Sequence, residues 1–177
     1  RSAGEEFQRS TDCSMPDEVA VSGDLTVTGK ETVYSTLTAA SGKRHFKIIS
    51  GAHRVSLSWL NLTGGNVGGS NDGGSIYVYN VAAHLNISHC VFFNNRASSG
   101  GAIYARDGPA TVLLSEISFN QNLASLYGGA VFLRNAKLVD HSSMYNMNTA
   151  AGYNGGALFL YSGSHSSLFN SSLVSNT

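Results

Sequence analysis

Apolar and polar residues alternate along most of this 177-residue chain, and the alternation restarts at regular intervals. Successive strand side chains point to opposite faces, so such runs predict strands with one buried face. After each of four glycine pairs one parity is aliphatic: Ile76 and Val78, Ile103 and Ala105, Val131 and Leu133, Leu158 and Leu160. Ahead of a recurring polar turn the inward set reads Val55, Leu57, Leu60 and Leu62, then Leu85, Ile87, Cys90 and Phe92, then Val112, Leu114, Ile117 and Phe119. The next two sets are more polar: Leu138, Asp140, Ser143 and Tyr145, then Ser166, Leu168, Ser171 and Leu173. Burial is therefore expected to weaken towards the C-terminus, with a local register slip that turns Asp140 to solvent, because an unpaired carboxylate is costly to bury.

The glycine pairs, Gly73-Gly74, Gly100-Gly101, Gly128-Gly129 and Gly155-Gly156, recur at intervals of 27, 28 and 27 residues. Each is followed by a small, an aliphatic and an aromatic residue. A second marker keeps step with it: Phe92, Phe119, Tyr145 and Leu173 each stand three residues before an asparagine. Self-similarity at this period is the mark of a solenoid. The expected fold is all-β, a right-handed parallel β-helix of about 27 residues per coil and roughly five to six coils. Stacked coils would set Asn66, Asn95, Asn122, Asn148 and Asn176 in a ladder at one corner. Asparagine tolerates left-handed backbone angles and its amide satisfies turn groups, so the ladder reads as structural.

Three segments follow. Residues 1–22 are polar and suit an extended N-terminal arm or cap. Residues 23–54 are strand-like but irregular, punctuated by Ser41-Gly42 and Ser50-Gly51, and regular repeats run over 55–177. The chain stops just after the fifth Asn corner, so its last coil is expected to need a cover from more chain or another molecule.

Gly-Gly-Ala-Ile at 100–103, with Phe92 before Asn95 and Phe119 before Asn122, resembles the paired signature of the chlamydial polymorphic outer membrane proteins and related β-helix surface proteins. The resemblance covers roughly residues 46 to 177. It implies a β-helix on the cell exterior, used in adhesion or as surface architecture. Tyr145 and Leu173 depart from the phenylalanine of the signature, and no C-terminal membrane barrel is expected.

The outward parity after the glycines holds Tyr77, Tyr104, Phe132 and Phe159 in one column and Tyr79, Arg106, Arg134 and Tyr161 beside it. Exposed aromatics with arginines suit a protein interface or sugar stacking; stacked aromatics also stabilise a sheet from coil to coil.

Composition narrows the partners. Lys plus Arg and Asp plus Glu are 11 each, and a neutral chain offers no electrostatic case for nucleic acid or anionic lipid. No apolar run is long enough to cross a bilayer as a helix, and a start at Arg1 suggests processing or excision. Sequons at Asn61, Asn86 and Asn170 fall on the outward parity before the Asn corner, where a glycan along one flank would be tolerated. Cys13 can bridge to Cys90 if the arm folds over the coil, or can pair between molecules.

Catalysis finds little support. Asp72, Asp107, Glu116 and Asp140 lie at different phases of the repeat, and the six histidines show no ligand spacing. His89 and Glu116 occupy equivalent positions one coil apart and read as a surface pair. No cofactor or metal is expected. The expected role is that of an extracellular, glycosylated structural protein, a self-associating subunit of a surface appendage, filament or coat. The alternatives are an adhesin or glycan-binding module and, behind it, a polysaccharide lyase or hydrolase.

Overall fold

The computed structural model describes residues 6–8, 12–49, 51, 53–68 and 70–177. Among them there is no helix, and every strand pairing is parallel. Four sheets run along the axis of a β-solenoid of about six turns. Sheet A stacks Glu6–Gln8, Leu25–Thr28, Arg54–Ser58, His84–Ser88, Thr111–Ser115, Lys137–His141 and His165–Phe169 in that order. Sheet B stacks Cys13–Met15, Ser35–Ala39, Leu60–Thr63, Val91–Phe93, Ser118–Asn120, Met144–Asn146 and Ser172–Val174. Sheet C stacks Val19–Val21, Phe46–Ile48, Ile76–Tyr79, Ile103–Arg106, Val131–Arg134 and Leu158–Tyr161. The short sheet D holds Arg96–Ser99, Leu123–Tyr127 and Thr149–Ala150.

One residue in the left-handed region turns the chain from sheet A to sheet B in each regular coil: Trp59, His89, Glu116, Ser142 and Asn170, with φ between 47° and 58°. That single residue keeps Leu57 and Leu60, or Ile87 and Cys90, on the same inner face, which is why the inward set skips three places at the bend. Gly64, Asn94, Gln121, Met147 and Ser175 turn the chain out of sheet B in the same conformation. The inward sets line the core, with Phe46, Leu62, Ile76, Leu85, Phe92, Ile103, Val112 and Phe119 no more than 2% exposed. Phe92, Phe119 and Tyr145 stack inside it at 5.0 and 4.8 Å.

The segment expected as an extended arm or cap contains short strands. Residues 13–15 and 19–21 form strands of the first coil and pair with Leu37–Ala39 and Phe46–Ile48, so this part of the expected arm is built into the solenoid. Residues 1–5 and 9–11 of that arm, and Ser50 of the Ser50-Gly51 punctuation, lie outside the described residues.

No slip occurs at Asp140. It pairs in register with Leu114 on one side and Leu168 on the other and is fully buried. Its carboxylate accepts hydrogen bonds from the hydroxyls of Ser143 and, at 3.0 Å, Tyr145. The preceding coil places Leu114, Ile117 and Phe119 at these sites. The three polar substitutions therefore satisfy one another, which removes the penalty that argued for exposure.

The asparagine ladder begins at Asn95. Register places Leu62 beside Phe92, so Gly65 is the equivalent of Asn95, and Asn66 bridges to Arg96 instead. Asn66 is exposed and its side chain accepts from its own Gly68 N–H at 3.3 Å. Gly64 and Gly65 thus stand in phase with Asn94 and Asn95, and this corner lacks only the side-chain amide.

Candidate functional site

The ladder is closed within itself. Asn122 donates from Nδ2 to Phe92 O at 2.9 Å and to Asn148 Oδ1 at 2.9 Å, while its Oδ1 accepts from Asn95 N and Nδ2, both at 3.1 Å. Asn148 repeats the pattern, Asn95 repeats its donor half while its Oδ1 accepts only the Gly65 N–H at 3.0 Å, and all three are fully buried. Every amide oxygen and nitrogen of these three is engaged in the interior, and the chemistry is that of a corner brace.

The outer face of sheet C collects the other residues singled out by sequence. Tyr77, Tyr104, Phe132 and Phe159 stack along the axis with centroids 5.4, 4.8 and 5.7 Å apart. Tyr127 leans on Phe159 at 4.7 Å and Tyr153 stacks on Tyr127 at 5.0 Å. They lie on the outer face of the sheet, yet Tyr104 is only 2% exposed and Phe132 7%, contrary to their reading as exposed aromatics. Neighbouring rings cover both faces of each, so these two brace the sheet and offer no contact area.

Polar groups close over the same column. Asp72, just ahead of the first glycine pair, accepts the Ser99 N–H at 3.0 Å, and burial raises its carboxyl above the usual range. Burial likewise pushes the Tyr104 phenol up to about 12. Arg106 donates from Nη1 to the Tyr104 hydroxyl at 3.2 Å and from Nε to Asp107 at 2.6 Å. Asp107 also faces Arg134 Nε at 3.1 Å. Arg44 lies 4.8 Å over the Tyr77 ring and reaches Glu18 at 3.4 Å. Asp72, Asp107 and Arg44 were not picked out as members of this face. Their signal was position: Asp72 abuts a glycine pair and Asp107 directly follows a strand, beside Arg106.

Tyr79, Arg106, Arg134 and Tyr161 form the next column, and this one is open. Tyr79 and Tyr161 are 38% and 52% exposed, and the two arginine side chains are partly exposed.

The remaining candidates disperse. Asn86 is exposed on sheet A, Asn61 is half-buried on sheet B, and Asn170 is the exposed bend between them, so the three sequons do not share one flank. The strand that was expected to carry all three is broken by the A-to-B bend. Asn61 Oδ1 is buried with no hydrogen-bond partner among the described residues. Cys13 and Cys90 are not bridged. Cys13 sits in the column of Leu37, Leu62 and Phe92, three ladder steps from the coil of Cys90. Three steps span about 14 Å, well past disulfide reach. His89 Nδ1 does meet Glu116 Oε2, at 3.3 Å, and its ring stacks on Trp59 at 4.2 Å. No group of three or more His, Cys, Asp or Glu with metal-binding proximity occurs among the described residues.

The model of the Chlamydia polymorphic membrane protein repeat matches residues 89–106. The chain is a parallel β-helix repeat protein similar to the chlamydial polymorphic membrane proteins. The matched polymorphic membrane protein repeat begins at the A-to-B bend residue His89, contains inward Phe92, ladder residue Asn95 and the pair Gly100-Gly101, and ends at Arg106 in the open column of sheet C. No curated protein and no solved structure matches the chain.

Proposed function

We propose that this protein is a non-enzymatic structural element of a cell surface, an elongated β-helix whose role lies in shape and display. The observation that carries the reading is the fate of its polar side chains. Asn95, Asn122 and Asn148 are consumed by the ladder, Asp140 by two hydroxyls, Asp107 by two arginines and Glu116 by His89. Groups so committed to holding coils together favour architecture over turnover. The match to a repeat of the Chlamydia polymorphic membrane proteins supports a surface-associated, extracellular location. Among the described residues no helix is long and apolar enough to cross a membrane.

Self-association belongs to the same proposal. Leu160, Phe169, Leu173 and Val174 of the last coil are 37–53% exposed, and a further coil, of this chain or of another copy, would cover them. Exposed Asn86 and Asn170 are the better placed of the sequons for glycan if the chain traverses a eukaryotic secretory route. Negative-stain microscopy of native material, with light scattering of the folded chain at increasing concentration, tests the structural role. Rods or filaments are expected. A folded monomer at every concentration, with polysaccharide turnover abolished by Asp72→Asn or Glu116→Gln, would refute it.

A further inference from the structure

Tyr79, Arg106, Arg134 and Tyr161 stand in one column on the outside of sheet C, each paired in register with the next. At about 4.8 Å per ladder step the column is about 14 Å long. The Arg106 guanidinium lies 5.9 Å from the Tyr79 ring centroid and that of Arg134 lies 5.6 Å from Tyr161, so the two halves mirror one another. Tyr77 backs Tyr79 at 6.0 Å and Phe159 backs Tyr161 at 6.4 Å, which fixes both rings. Asp107 accepts a hydrogen bond from Arg106 Nε at 2.6 Å and forms an ion pair with Arg134 Nε at 3.1 Å without hydrogen-bond geometry. Asp107 thus faces both guanidiniums, and Asp72 lies within electrostatic reach of Arg106, so the two cations are held beside two carboxylates. The terminal nitrogens of Arg134 have no hydrogen-bond partner among the described residues.

We propose that this column binds an acidic polysaccharide, with the guanidiniums taking its anionic groups and the flanking tyrosine rings the apolar faces of its sugar rings. The planar guanidinium fork suits carboxylate and sulfate oxygens, and partial burial strengthens such bonds. Rings and forks are already held in place, so little ordering cost remains on binding. A linear strip with a repeated spacing fits a repeating polymer. It does not fit a folded protein, which needs about 800 Å² of contact surface per partner, because the neighbouring Tyr104 and Phe132 are sealed in their own stack. Uronate carboxylates and sulfate esters share the chemistry required. The inference stands apart from the structural role: a filament subunit or a monomer could carry the strip equally.

The test uses the folded 177-residue chain, checked by circular dichroism, and titrates it with polygalacturonate, dextran sulfate and neutral dextran. Binding of at least one polyanion and none of dextran is expected; polygalacturonate alone identifies uronate, dextran sulfate alone the sulfate ester. Arg134→Gln should weaken binding at least about tenfold, as loss of a charge-assisted bidentate contact does. Tyr161→Ala, with no change of charge, should weaken it several-fold. Lys30→Gln removes the same charge from an exposed position that follows Leu25–Thr28, four ladder steps or about 19 Å along the axis from the strand after Arg134, and should leave affinity within about twofold, since charges beyond about 10 Å are screened at moderate salt. Arg134→Lys keeps the charge but loses the fork, so it should also bind more weakly, and it stands in if Arg134→Gln does not fold. The proposal is overturned if neither polyanion binds the folded wild-type chain. It is equally overturned if Lys30→Gln weakens binding as much as the Arg134 variants, or if those variants bind like wild type.

Discussion

His45 Nδ1 accepts a hydrogen bond from the Ser75 hydroxyl at 3.0 Å, inside the solenoid and across one coil step. The direction follows from the other ring nitrogen: Nε2 lies 2.9 Å from Leu37 O, which can only accept, so Nε2 carries the proton. Ser75 stands where the later repeats have Ala102, Ala130 and Ala157. The departure of the first glycine-pair block from the Gly-Gly-Ala pattern therefore has a cause one coil away.

Acid should expose the His45 contact. Burial lowers its pKa from 6.5 to about 4, so the neutral ring is the folded form. Between those values the unfolded chain binds the extra proton, and stability falls as pH drops from about 6.5 towards 4, while the full contribution is present above 6.5. The span amounts to at most about 3 kcal/mol. Urea denaturation at a series of pH values should show this slope, and His45→Gln should flatten it.

Removing a rung of the ladder should cost far more than removing Asn66. Asn122→Ala leaves Asn95 N unpaired in the interior and removes one donor from Phe92 O, a loss of about 2–3 kcal/mol. Asn66→Ala should change stability by less than about 0.5 kcal/mol, as an exposed site outside the network. Chemical denaturation of the two variants compares them directly; equal losses would contradict the corrected register.

The buried carboxylate should be coupled to its phenol. Tyr145→Phe removes a donor to Asp140 and should cost about 1–3 kcal/mol. Asp140→Leu combined with Tyr145→Phe brings this coil closer to the preceding one, which has Leu114 and Phe119 at these sites. In a double-mutant cycle the pair should lose at least about 1 kcal/mol less than the sum of the single changes.

At the glycine turn, a methyl group on Gly101 would collide with the Gly129 carbonyl oxygen and stand 2.8 Å from Leu123 N and O, all backbone. Gly101→Ala should cost more than about 3 kcal/mol or prevent folding. Gly42→Ala meets nothing within 4 Å but has φ of 77°, and should cost only about 1 kcal/mol. Thermal melts distinguish the two.

Cys90 should be inert while the chain is folded. Burial pushes its thiol up to about 12, which removes the thiolate that alkylation requires. Iodoacetamide followed by peptide mass analysis should label Cys90 only under denaturing conditions.

Much of this was legible along the chain because a solenoid's core is written locally. The inward residues of sheets A, B and C follow from alternation alone, and the 27-residue period places the glycine and asparagine corners. The first coil was not legible in that way. Cys13–Met15 and Val19–Val21 are three-residue strands without a repeat signature, and only pairing with the next coil defines them.

What the sequence by itself determined is the repeat, the face each strand buries and the four glycine turns, since these depend on parity and backbone sterics within one coil. Tertiary structure alone decided that Asp140 stays inside, that Gly65 rather than Asn66 heads the ladder, and that Tyr104 is sealed while Tyr161 is open. Each of these depends on which side chains the stacking brings to neighbouring rungs. A hydrogen bond or ring contact between residues 26 to 30 positions apart has no trace in either residue's own neighbourhood.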